Sequence, residues 1–186
     1  MDFRNLLITK VYNIKVLNKN MKILDLGCGR NKIKDSIGVD IINYKGVDIV
    51  MDLNKFPYNF RDKTFDLIYC YDTIEHLEDI TSIMKELYRI LKDNGNIKIR
   101  VPHFSSLWAF SDPTHKHFFG YKSFDCYCGL EANYLNLFNI KSKNITFGRL
   151  FKFLEIFFNK FPGLYERRLA FIFQANDLFI VLGKKL

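Results

Sequence analysis

Long apolar runs are missing from this 186-residue chain. The longest, such as Phe179-Ile180-Val181-Leu182, are far too short to cross a bilayer. Cysteine is scarce, and Cys28, Cys70, Cys126 and Cys128 have neither the spacing of a disulfide framework nor that of a paired C-x-x-C zinc site. That points to a reducing, cytoplasmic setting. A leader is not expected either: Met1-Asp2-Phe3-Arg4 is charged at once and no long apolar stretch follows. Internal repeats and low-complexity linkers are absent, so residues 1–186 are read as one domain, long enough to bury a substantial core.

What is present is globular: 48% hydrophobic and 16% aromatic residues. The net charge of +8 is uneven. Residues 141–186 hold nine Lys/Arg against Glu155, Glu166 and Asp177, a net +6, leaving only +2 for residues 1–140. A basic face of that kind attracts phosphates on nucleic acid, lipid or a metabolite, or is simply solvated.

Short β-branched apolar runs predict strands at Lys22–Leu26, Ile37–Ile41, Val47–Met51, Phe65–Tyr71 and Ile97–Val101. Leu77, Ile80, Met84, Leu87 and Leu91 recur every three or four residues and predict a helix, stopped by Asp93-Asn94-Gly95-Asn96. Further on, Leu135–Ile140 and Asn144–Phe147 suit one bent strand, Leu150–Phe158 and Leu164–Phe173 suit helices, and Leu178–Leu182 suits a last buried strand. Strands alternating with a crossover helix indicate an α/β sheet, parallel in its first half.

Asp25-Leu26-Gly27-Cys28-Gly29 closes the first strand, where two glycines permit a sharp turn and a close ligand approach. It is not the dinucleotide fingerprint, because Lys32 stands where a third glycine is required. Acids then follow three further strands: Asp40, Asp52 and Asp72. Ligands of open α/β sheets bind beyond the carboxyl ends of the strands. So many acids there suit a ligand with hydroxyls, an amino group and positive charge, and serve a pyrophosphate poorly. Each acid alone could be a turn or helix cap.

The segments ILDLGCG, GVDI, DIVMDLNKFPY and FDLIYCYDTIEHLED resemble, in order, the motifs of class I S-adenosylmethionine-dependent methyltransferases over roughly residues 21–101. The resemblance implies a Rossmann-like α/β sheet of seven strands, mostly parallel with an antiparallel C-terminal strand. It implies S-adenosyl-L-methionine as cofactor, with Gly27, Cys28 and Gly29 at its methionine part and Asp25 and Ile41 also among the cofactor-binding residues. Asp40 would bind the ribose hydroxyls, Asp52 would reach the adenine amino group with Leu53 alongside, and Tyr71 and Asp72 would line the methionine and sulfonium end. Only ten residues separate Gly29 from Asp40, so the usual helix between the first two strands must shrink to about a turn.

Asp72 and Glu75 are spaced like a capping box, and His76 either meets substrate or packs beneath it. Beyond the fifth strand, P-H…D-P-T-H…F-F resembles a subset of these enzymes. Three of the four histidines, His103, His115 and His117, fall there. Histidine suits proton removal from an acceptor, so these three are the candidate catalytic residues.

His115-x-His117 and Cys126-x-Cys128, with His103 or Asp112, offer zinc or iron ligand types. An extended x-separated pair faces opposite ways, however, and no metal is assigned. The ending YERRLAFIF resembles short envelope- or glycan-biosynthesis methyltransferases, implying a small-molecule or glycan-type acceptor methylated at oxygen or nitrogen. The chain lacks the N-P-P-Y-type and Pro-Cys motifs of DNA-base enzymes. Rival readings are an RNA methyltransferase using the basic C-terminal third, and a cofactor-binding protein without catalysis. Leu150, Phe153, Leu154, Phe157 and Phe158 would share one helix face, suited to core, to a homodimer contact or to a membrane surface.

Overall fold

A computed structural model describes residues 21–130 and 135–186; the charged opening Met1–Arg4 lies outside them. Seven strands form one sheet: β1 (Ile23–Leu26), β2 (Ile37–Asp40), β3 (Ile49–Val50), β4 (Phe65–Tyr71), β5 (Leu91–Pro102), β6 (Phe138–Phe147) and β7 (Ala175–Lys184). Their order is β3-β2-β1-β4-β5-β7-β6. The pairs from β3 through β5 are parallel, and β7 runs antiparallel to both β5 and β6. Strand β1 therefore lies between β2 and β4, and the direction of winding reverses there. That reversal opens a crevice at the carboxyl ends of β1 and β4. Residues 30–36 make turns rather than a helix, as the short spacing between Gly29 and Asp40 requires.

The crossover helix α1 (Ile80–Ile90) buries Ile83, Met84, Leu87 and Ile90 against the sheet, each at most 1% exposed. Each such side chain contributes about 1.5–3 kcal/mol by leaving water. The helix is shorter than its apolar spacing predicts. Asp79 caps it, accepting from the Ser82 N–H at 3.1 Å, so Leu77 is buried but precedes the helix. At the other end Leu91 turns to extended backbone and opens β5, pairing with Phe65. The next pairing joins Leu67 to Asn96, so the Asp93–Asn96 turn is accommodated as an irregularity of the strand.

Ile97, Ile99 and Val101 of β5 are fully buried while Lys98 and Arg100 lie over the rings of Tyr69 and Tyr71. Strand β6 is bent as expected, with register shifts at Ile140/Ser142 and Ile145/Phe147. The two C-terminal helices are much shorter than the apolar spacing predicts. Lys152–Leu154 forms a 3-10 turn, a short helix follows at Glu155–Lys160, and tight helical turns span Pro162–Leu169. The shared apolar face dissolves accordingly. Phe158 is buried among Phe147, Tyr165 and Phe173, whereas Leu150 and Phe153 are more than 70% exposed.

Candidate active site

The turn after β1 is built by close approach. Gly27 has φ +67°, and a Cβ there would fall 2.2 Å from Thr73 Oγ1, which donates to the Leu26 carbonyl or to that of Tyr71. Only glycine allows the loops after β1 and β4 to close on each other in this way. Gly29, at φ +53°, faces open space, with nothing within 4 Å of a Cβ. Its N–H donates to Asp40 Oδ2 at 2.9 Å, and Asp40 Oδ1 accepts from Ile42 N–H at 2.9 Å. Asp40 thus stands at the end of β2, tied to the glycine loop, with Ile41 exposed beside it.

Asp25 is buried at 4% exposure and accepts from Ile33 N–H at 2.8 Å. Burial pushes its carboxyl up to about 6, with the Asp40 charge adding to the rise. Burial likewise holds the Cys28 thiol at about 11, so it stays protonated and is no nucleophile. Asp52 lies two residues past β3 and accepts from Asn54 N–H at 3.0 Å. Leu53 is core: its side chain is buried and its carbonyl takes the Tyr58 hydroxyl. Tyr71 and Asp72 follow one another at the end of β4, and both are engaged by Arg100, through the ring face and through a two-point ion pair.

The segment after β5 does not form one histidine cluster. His103 is fully buried; its Nε2 meets Glu166 Oε1 at 3.1 Å and its Nδ1 meets Ser105 Oγ at 2.9 Å. Both ring nitrogens are taken, so His103 clips the end of β5 to the turn containing Glu166. Burial alone would raise the Glu166 carboxyl, but His103 and the Tyr121 N–H together hold it below its usual range. His117 turns its Nε2–H to the Leu77 carbonyl at 2.9 Å. His115 donates Nδ1–H to the carbonyl of Ala109, in the short helix α2 (Leu107–Ser111), at 3.0 Å. Its ring packs edge-on against His76 at 4.6 Å. Burial and the facing His115 depress the His76 pKa.

The residue that sequence reasoning underrated is Glu75. The capping box does not form: Ile74–His76 is a 3-10 turn without a side-chain cap, and Asp72 is committed to Arg100. Glu75 is 0% exposed, and neither carboxylate oxygen has a hydrogen-bond partner. Burial, reinforced by Asp72, pushes its pKa up to about 8. Its backbone carbonyl accepts from Lys116 N–H at 2.7 Å and His117 N–H at 3.3 Å, docking the histidine loop on it. The Cys126 and Cys128 thiols point to different carbonyls, those of Ser123 and Phe124.

Residues 4–127 match the family model described as a methyltransferase domain. The chain belongs to that family. It is 26% identical over 107 residues to phosphoethanolamine N-methyltransferase 3 of Arabidopsis thaliana, covering 45% of this chain and 21% of that protein. Over 96 residues it is 28% identical to the ubiquinone biosynthesis O-methyltransferase of Pelagibacter ubique, covering 41% of this chain and 40% of that one. The chain thus spans less than half the length of either relative. A solved S-adenosylmethionine-dependent methyltransferase from Archaeoglobus fulgidus superposes with a TM-score of 0.63 at 22% identity, covering 89% of this chain and 86% of that one.

Family membership implies S-adenosyl-L-methionine as the methyl donor. The crevice suits it: an open backbone face at Gly29, a carboxylate at the end of β2, and a buried acid at Asp25 whose charged form a ligand cation would favour.

Proposed function

We propose that this chain transfers a methyl group from S-adenosylmethionine to an oxygen or nitrogen of a small-molecule or glycan-type acceptor, acting as one domain. The observation that carries this reading is the crevice at the β1/β4 reversal, where Gly27, Gly29, Asp25 and Asp40 meet. The donor supplies an activated methyl carbon; the chain must hold it, align an acceptor and receive a proton. Gly27, Cys28 and Gly29 take the methionine part, with Asp25 near its ammonium and Tyr71 and Asp72 at the sulfonium end. Asp40 and Ile41 hold the ribose side, and Asp52 and Leu53 the adenine side.

Acid–base work falls to the loop that carries His115 and His117, while His103, a candidate from the sequence, has both ring nitrogens engaged and anchors the base of that loop. His115 and His117 each give one N–H to a carbonyl and keep a lone pair on the other nitrogen, and His115 is the one whose ring faces His76 at the end of the loop after β4. The exposed Leu107, Phe110 and Phe118 beside it offer an apolar seat for the acceptor. Both an N-methylating and an O-methylating relative support the range of acceptor atoms, and the glycan-type leaning rests on the resemblance in the C-terminal segment. The exposed Leu150, Phe153 and Ile156 are the surface through which a homodimer would form. No helix among the described residues is long and apolar enough to cross a membrane. Incubation with methyl-labelled donor and panels of hydroxyl and amine acceptors tests the reading. Label transfer to a small hydroxyl or amine compound supports it, whereas transfer to RNA alone would replace it.

A further inference from the structure

Glu75 presents a problem that the methyl-donor crevice does not solve. A buried carboxylate normally finds hydrogen-bond donors, because leaving it bare costs several kcal/mol on the order of magnitude. Neither of its oxygens has one. Instead, ligand atoms of Glu75, His76 and His115 all lie within 4.8 Å of one another.

The hydrogen bonds around the two rings fix what they offer. His115 Nδ1 faces the Ala109 carbonyl, which can only accept, so Nδ1 carries the proton and Nε2 the lone pair. His76 Nδ1 faces Thr114 Oγ1 at 2.9 Å, and that hydroxyl donates its proton to Asp112 Oδ1 at 2.6 Å. The Thr114 oxygen therefore accepts from His76 Nδ1–H, and His76 too is left with a lone pair on Nε2. Outer partners of this kind, a backbone carbonyl on one ring and a hydroxyl–carboxylate relay on the other, orient metal-ligating histidines.

We propose that Glu75, His76 and His115 form a binding site for one divalent transition-metal ion, with positions left open for an oxygen ligand from the acceptor. Two imidazoles and one carboxylate match zinc, iron, manganese or cobalt; calcium and magnesium take oxygen-rich sets. Donors about 2.1 Å from a shared ion sit roughly 3.4 Å apart, so the three side chains close inward by a small shift. The docked loop already holds His115 to Glu75 through the Lys116 and His117 N–H bonds. The acceptor clause rests on the proposed methyl transfer. With an ion present, His115 is a ligand rather than a free base, and the ion's charge favours the ionised form of a bound hydroxyl.

The test uses metal-free protein titrated with Co²⁺ and Zn²⁺, read by the visible absorption of bound Co²⁺ and by calorimetry. One equivalent should bind. Glu75→Gln and His115→Ala should each weaken binding by well over tenfold. Thr114→Val, an exposed change that leaves all three ligands in place, should weaken it by about 10–100-fold. It keeps the test intact if Glu75→Gln fails to fold. Cys126→Ser should change nothing. Absence of Co²⁺ binding, or binding indifferent to His115→Ala and Thr114→Val, overturns the site. S-adenosylhomocysteine titrated into the same samples separates the two claims: binding of it without metal leaves methyl transfer standing and removes only the ion.

Discussion

Gly27 lies so close to Thr73 that a Cβ on it would fall 2.2 Å from the threonine hydroxyl oxygen. The contact joins the turn after β1 to the loop after β4, the two edges of the crevice. Gly27→Ala meets both a left-handed backbone and a clash, and should cost about 2–4 kcal/mol of stability along with donor binding. Gly29→Ala meets only the backbone strain, about 1 kcal/mol. Urea unfolding of both variants checks the order; equal losses would mean the Thr73 contact is unimportant.

Asp40→Ala should weaken S-adenosylhomocysteine binding by about 1.5–3 kcal/mol, the worth of charge-assisted hydrogen bonds. Part of that loss is indirect, since the Asp40 carboxylate also holds the Gly29 and Ile42 N–H groups. Calorimetry on the folded variant provides the number, and unchanged affinity would place the ribose elsewhere.

Asp25 makes the ligand-free protein sensitive to pH. Its folded pKa is raised from 3.8 to about 6, so the folded state binds the proton more tightly than the unfolded chain does. Its contribution is present below the unfolded value and lost as pH rises through about 6, on the order of 3 kcal/mol. Asp25→Asn should flatten that slope between pH 4 and 7. Donor binding runs the other way, because a ligand ammonium needs the ionised carboxylate. Affinity should fall as pH drops below 6, with proton uptake by the protein on ligand release. A pH-independent affinity would remove Asp25 from the site.

The histidines should separate. His103→Ala removes a fully buried ring from its pair with the half-buried Glu166 and should lower stability by about 2–4 kcal/mol, with activity falling as the fold loosens. His115→Ala should keep the melting temperature and donor affinity while cutting turnover by about 10²–10⁴-fold. If His103→Ala stays fully stable and only turnover drops, the buried clip is instead the working group.

Much of this was legible beforehand. Strand β4 spans Phe65–Tyr71 as its apolar run predicts, and the acid closing β2 and the acid following β4 stand where alternation placed them. Helix length was not legible in the C-terminal part. Leu150, Phe153 and Phe157 carry a helical period, but aromatic packing around Phe158 and Tyr165 breaks the chain into short turns. Glu75 was hidden for a different reason. Three residues after Asp72 it mimics a capping residue, and only the pairing of Asp72 with Arg100, 28 residues further along the chain, shows that no cap forms. Its meeting with His115 depends on a loop docking through backbone bonds, which side-chain spacing does not encode.

The most direct measurement is calorimetric titration of the purified protein with S-adenosylhomocysteine, alongside NAD and ATP. The account predicts one equivalent of S-adenosylhomocysteine bound, a raised melting temperature, and no binding of either phosphate-bearing nucleotide. Binding of NAD or ATP with none of S-adenosylhomocysteine would contradict it.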